Sequence, residues 1–197
     1  MSAAHGQTPS QTVGPYFAYG LASEQYGYPL RQLFGPVLAE PRTPGEPIVV
    51  TGRVLDGEGA PIPDALVEIQ HADAQGRHVR SRAEIAASGF RGFGRMGTGT
   101  LPGHAFAFRT IKPGATPDGQ APHIDVIVSM RGLLSHAFTR IYFDDEAAAN
   151  ARDPVLGAVP PARRATLLAT RETHPGGVVY RLDIRMQGEA ETVFFDV

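Results

Sequence analysis

Short stretches of alternating apolar and polar residues recur from position 48 to the end of the chain. The runs IVVTGRVL (48–55), ALVEIQH (65–71), AFAFRT (105–110), IDVIVSM (124–130), HAFTRIYF (136–143), VVYRLDIRM (178–186) and TVFFDV (192–197) are rich in β-branched and aromatic residues. Each predicts a strand. In VVYRLDIRM, Val178, Tyr180, Leu182, Ile184 and Met186 share one face, and Val179, Arg181, Asp183 and Arg185 share the other. Side chains alternate across a strand, so one face is expected in a core and one in water. Turn chemistry separates the runs at Asp56-Gly57-Glu58-Gly59, Lys112-Pro113-Gly114 and His174-Pro175-Gly176-Gly177. The pattern predicts a mainly β protein, an antiparallel β-sandwich.

Two segments predict helices between strands. Asp144-Asp145-Glu146 precedes AAANAR, placing acid at the end where a helix dipole favours it and arginine near the other. PPARRATLLA (160–169) begins with proline, which suits a first turn. Neither fits a parallel βαβ layout.

Residues 8–38 differ from the rest. Pro9, Gly14, Pro15, Gly20, Gly27, Pro29, Gly35 and Pro36 interrupt regular structure there, while Tyr16, Phe17, Tyr19, Tyr26 and Tyr28 make the segment too aromatic for disorder. An extended arm (1–45) laid over its own surface or a partner's is expected, followed by a sandwich domain (46–197). Residues 77–102, rich in glycine around Gly89–Gly99, read as a long functional or interface loop.

Charge narrows the function classes. With 18 Lys+Arg against 20 Asp+Glu, the net charge of -2 gives no basic field for nucleic acid. Only Lys112 is lysine, and no cysteine is present, which removes disulfides, thiolate metal sites and a cysteine nucleophile. The opening Met1–Gly6 lacks the cationic and apolar runs of a secretory leader, and no stretch has the roughly 18 apolar residues that span a bilayer. A cytoplasmic, membrane-free protein is expected.

Candidate chemistry rests on histidine. His123 and Asp125, two apart on a predicted strand, project from one face and supply part of a two-His-one-carboxylate set. His174 is a candidate third ligand, with Arg181 or Arg185 as a substrate anchor. The bland alternative pairs His123 with a backbone carbonyl and leaves Asp125 as a surface acceptor. His71 and His78 flank a turn and read as ordinary polar residues unless they converge on a metal; His136 reads as structural. No nucleophile elbow, P-loop or dinucleotide fingerprint is present.

Several motifs go further. TGRVLDGEGAPIPDALVEIQHADAQGR (51–77), FAFRTIKPG (106–114), APHI (121–124), TRIYF (139–143), the arm TPSQTVGPY (8–16) and the ending DIRMQGEAETVFFD (183–196) together resemble the intradiol ring-cleavage dioxygenases. The arm and ending are similar to those of the non-catalytic α chains in the family's two-chain members. The likeness covers nearly the whole chain and implies the family's sandwich, a transthyretin-like fold.

The resemblance also implies what is missing. Catalytic chains of the family hold ferric iron (Fe3+, non-haem) through two tyrosinates and two histidines. The matching positions here are His78, Thr116 in the Ala115-Thr116-Pro117 segment, His123 and Asp125, so three of the four have changed type. The resemblance therefore implies no catalytic residue and no metal in this chain, with the iron in a partner β chain and α–β pairs assembled into a larger oligomer. It implies that Thr12, Gly14, Pro15 and Tyr16 line the partner's substrate pocket. Arg131 would attract the carboxylate of 3,4-dihydroxybenzoate, which O2 cleaves to 3-carboxy-cis,cis-muconate. Two rival readings are a self-sufficient metal site at His123, Asp125 and a further histidine, and a transthyretin-like binding module without catalysis.

Overall fold

The computed structural model describes residues 10–196, so Met1–Pro9 and Val197, including the start of the TPSQTVGPY motif, lie outside the described residues. Among the described residues nine strands order as β3-β2-β5-β6-β7-β8-β1-β4, with β9 beside β1. One half contains β2 (Leu66–Gln70), β3 (Phe93–Gly97), β5 (His123–Ser129) and β6 (Ala137–Phe143). The other contains β1 (Pro47–Leu55), β4 (Ala105–Ile111), β7 (Leu168–His174), β8 (Gly177–Arg181) and β9 (Ile184–Arg185). The halves join through a two-residue parallel pairing, Tyr142 with Leu168 and Phe143 with Ala169.

The inner faces of both halves meet in one core. Val67, Ile69, Ile124 and Val126 from the first pack with Val50, Phe106, Phe108 and Tyr180 from the second. Alternation produces this directly: β5 runs buried at Ile124, Val126 and Val128 and half-buried at Asp125, Ile127 and Ser129. Burying a large apolar side chain contributes about 1.5–3 kcal/mol, so such a two-sided core dominates the fold's stability.

The fold is the mainly β sandwich expected from the sequence, antiparallel in most of its pairings, with β1–β8, β1–β9 and β6–β7 parallel. Several local expectations need correction. VVYRLDIRM is broken after Arg181, although Tyr180, Leu182 and Ile184 do face the core. The described part of TVFFDV, 192–196, forms no strand: only Phe195 bridges Phe138. PPARRATLLA is a 3-10 segment (Pro161–Leu167) running into β7, because Leu168 finds β6 as a partner that no local pattern announces. The segment 77–102 is not one loop. It holds α2 (Arg82–Ser88), capped by Ser81 Oγ accepting from Glu84 N, and β3, whose glycines hide its strand character. The acidic helix start is 3-10 (Asp144–Glu146) before α3 (Ala147–Asn150), and α4 (Pro154–Ala158) follows, with Asp153 as N-cap.

The arm is short on regular structure but well anchored. Ala18 and Ala22, one turn apart on and just after α1 (Tyr16–Leu21), pack against Leu66. Gln25 completes the free edge of β3, donating to Gly97 O at 2.7 Å and accepting from Gly97 N at 2.9 Å. Gly97 must lack a side chain, since a Cβ there would lie 2.1 Å from Tyr26 Oη. Farther on, Leu38 N donates to Arg109 O and Arg91 N to Leu38 O, laying the segment between two strands.

Candidate functional site

Two regions carry the residues singled out from the sequence. The first is the solvent-side face of β5 and β6. Their register sets His123 opposite Tyr142 and Asp125 opposite Arg140. Cross-strand neighbours on one face are close enough to pair. Asp125 Oδ1 lies 2.9 Å from Arg140 Nε, and Arg140 Nη1 donates to Gln120 Oε1 at 2.6 Å. His123 is buried, with Nδ1 2.7 Å from Ala121 O. A carbonyl only accepts, so Nδ1 carries the proton in that contact. Nε2 stands 3.9 Å from Asp125 Oδ1, beyond hydrogen-bond reach.

At the buried end of this face Tyr142 donates to Asp153 Oδ1 at 3.1 Å, and the same carboxylate accepts from Ala121 N and Leu156 N, both at 2.7 Å. Burial pushes the Tyr142 phenol up to about 12, against the opposing pull of Arg140. The phenol therefore stays neutral as a structural donor. Arg140, Tyr142 and Asp153 went unnoticed in the sequence. Period two in TRIYF puts Arg140 and Tyr142 on one face, but only the register shows that it is the His123–Asp125 face.

His78 and Thr116 lie on adjoining loops. Asp73 Oδ1 accepts from Gln75 N and Arg77 N, forming the turn before His78. At its tip Gly76 has φ 77° and sits against Ala115, where a Cβ would meet the carbonyl at 1.9 Å. His78 is exposed, and Thr116 Oγ1 donates to Asp118. His71 is buried, its Nδ1 2.8 Å from Ala72 O and its Nε2 2.7 Å from Thr110 Oγ1. His174 is exposed and pairs with Glu172, as does Arg181.

Among the described residues no three His, Cys, Asp or Glu side chains converge as a metal site. The donor set at the four positions does not fit ferric iron. At these positions no phenolate stands to stabilise a trivalent ion and Asp125 is engaged by a guanidinium, which leaves the imidazoles of buried His123 and exposed His78. Beside this face lies a groove of about 450 Å³, lined by Gln70, Phe93, Asp125, Ile127, Phe138 and Arg140 among others.

The second region joins the arm to the loop after β5. Gly132 N donates to Thr12 Oγ1 at 2.9 Å, bringing Thr12 next to Arg131. Gly14 O accepts from Phe17 N as Pro15 leads into α1, and Tyr16 projects outward with 77% of its surface exposed. Arg131 pairs with Asp64. Thr12, Gly14, Pro15, Tyr16 and Arg131 thus sit in neighbouring elements, with Arg131 just past the end of the strand that carries His123 and Asp125. No helix among the described residues is long and apolar enough to cross a membrane.

A family model described as Dioxygenase matches residues 14–188, and the chain belongs to that dioxygenase family. Members of this family use non-haem iron. Among individual proteins, the chain is 59% identical over 192 residues to the protocatechuate 3,4-dioxygenase alpha chain of Burkholderia cepacia, covering 97% of this chain and 98% of that one. The alpha chain of Pseudomonas putida is 45% identical, with 96% of each chain covered. The Burkholderia cepacia beta chain is 36% identical over 163 residues, 75% of this chain and 67% of that one. Of solved structures, an intradiol ring-cleavage dioxygenase from Tetranychus urticae shares the fold with TM-score 0.60 at 18% identity, covering 92% of this chain and 94% of that one.

Proposed function

We propose that this chain is the non-iron-ligating α subunit of a protocatechuate 3,4-dioxygenase, whose β chain holds the iron. Identity of 59% across almost the whole length of an alpha chain carries the reading. The occupation of Asp125 by Arg140 supports it, since a guanidinium stands where a metal would need a free carboxylate. The beta-chain likeness supports a partner of the same fold, and two like-folded chains pair readily about a pseudo-twofold axis.

In this reading residues 1–45 are the arm that reaches the β chain, and 46–197 are the sandwich. Iron in the β chain supplies Lewis acidity toward the catechol oxygens. This chain supplies shape and charge at the pocket wall. Gly14 and Pro15 offer a stiff, side-chain-poor turn that an aromatic ring can approach. Tyr16 presents an uncovered aromatic surface for the partner or the ring. The Arg131 guanidinium orients the substrate carboxylate by charge-assisted hydrogen bonds. Holding the ring in one orientation lets O2 meet the bond between the two hydroxyls, giving 3-carboxy-cis,cis-muconate.

Iron content and visible colour test the reading. The chain purified alone is expected to be colourless and iron-free, and co-expressed with a β chain it joins a coloured, active complex. Stoichiometric iron in the chain alone would overturn it.

A further inference from the structure

Arg131 is the single charged member of the proposed pocket wall, and its surroundings hold it from two sides. Its side chain is 59% exposed, but it contacts the Asp64 carboxylate through Nε, and the Asp64 side chain is only 9% exposed. The Asp64 oxygen in that contact is buried and makes no regular hydrogen bond. An ionised carboxylate in that setting is costly unless a cation faces it. The loop carrying Asp64 is itself pinned: buried Thr98 donates Oγ1–H to Ile62 O at 2.6 Å and accepts from Ala65 N at 3.2 Å. On the other side Gly132 N donates to Thr12 Oγ1, tying the neighbour of Arg131 to the arm. Arm and loop together enclose a hollow of about 240 Å³ lined by Val13, Phe17, Met130 and Leu133 among others.

A guanidinium gripped at Nε still has its terminal amino groups, the edge that takes a second carboxylate end-on. Without a partner, a long arginine side chain samples many rotamers and loses that entropy each time substrate binds. We propose that Asp64 is a positioning residue, holding Arg131 by its Nε edge so that the terminal nitrogens stay directed at the substrate carboxylate, and that it thereby sets preference for carboxylated over uncarboxylated catechols. This rests on the role given to Arg131 above. The Asp64 charge partly cancels that of Arg131, so the benefit is one of orientation at short range and not of long-range attraction.

The test uses the complete α–β complex with wild-type, Asp64→Asn, Arg131→Gln and doubly substituted α chains. The readout is the ratio of kcat/KM for 3,4-dihydroxybenzoate to that for 4-methylcatechol. Asp64→Asn is isosteric, and thermal unfolding checks that each complex is intact. The ratio is expected to fall about fivefold in Asp64→Asn, at least as far in Arg131→Gln, and no further in the double variant, with the change mainly in KM for the carboxylated substrate. A fall in Arg131→Gln alone would overturn the role of Asp64 and leave that of Arg131 standing. Equal losses on both substrates in Asp64→Asn would show a structural role only and also overturn it. An unchanged ratio in Arg131→Gln would overturn the role of Arg131 and, with it, this inference.

Discussion

Asp125 and Arg140 stand directly opposite each other on β5 and β6, with Oδ1 2.9 Å from Nε. A protein cation therefore faces the carboxylate at the His-x-Asp motif. The pair is half-buried and extended by Gln120, so it acts as part of a network and not as a lone surface bridge. Replacing Arg140 with leucine would leave Asp125 and Gln120 without their partner on a partly desolvated face. A loss of about 1–3 kcal/mol is expected, larger than in Asp125→Asn, read from urea unfolding of the chain.

Chelation is expected to leave this chain unchanged. Alone, it should keep its melting temperature within about 1 °C after exhaustive EDTA treatment, because a structural metal would contribute folding free energy outright. A drop of several degrees would reveal a site that the side-chain geometry does not contain.

His71 gives the fold an acid-sensitive element. Burial pushes its imidazole down to about 4, with the hydrogen bond to Ala72 opposing and His78 and His123 adding to the shift. The folded value lies below the unfolded one of about 6.5, so the unfolded chain binds the proton more readily. The stability contributed by neutral His71 is therefore complete above about pH 6.5 and lost as pH falls toward 4. Urea midpoints measured across that window should decline in the wild type. In His71→Gln, starting from lower stability, the decline should be shallower.

The arm should detach when its contact with β3 is spoiled. Gly97→Ala places a methyl group 2.1 Å from Tyr26 Oη, between fixed backbone and a packed ring. Overpacking of this kind costs about 1–3 kcal/mol. Limited proteolysis should then cut within residues 10–38 several times faster than in the wild type, and the variant should assemble less well with a β chain. Gln25→Ala, which frees the Gly97 N–H and carbonyl, should act in the same direction more weakly.

The strands legible in the sequence were those with clean alternation and β-branched residues, such as 48–55 and 124–130, because each carries its own amphipathic signal. β3 was hidden because Phe93-Gly94-Arg95-Met96-Gly97 looks like loop. Its glycines are there to let Leu38 and Tyr26 approach the backbone. β7 was hidden because its first residues take their strand character from Tyr142 and Phe143 alongside. TVFFDV showed the opposite failure, strong propensity without a free edge beyond one bridge to Phe138.

The amino-acid sequence by itself determined the mainly β architecture, the boundaries of most strands, the aromatic arm and, through its motifs, the likeness to intradiol dioxygenases. It also determined that no tyrosine stands at positions 78 or 116. Local pattern suffices there, since alternation, turn residues and residue identity are properties of neighbours in the chain. Only the tertiary structure decided that Arg140 engages Asp125, that Asp64 holds Arg131 and that Thr12 is tied to the loop beside it. Those pairings join residues about 15, 67 and 120 positions apart. They depend on strand register and on where loops land, and register is set by burial across the whole sheet and not by any one segment.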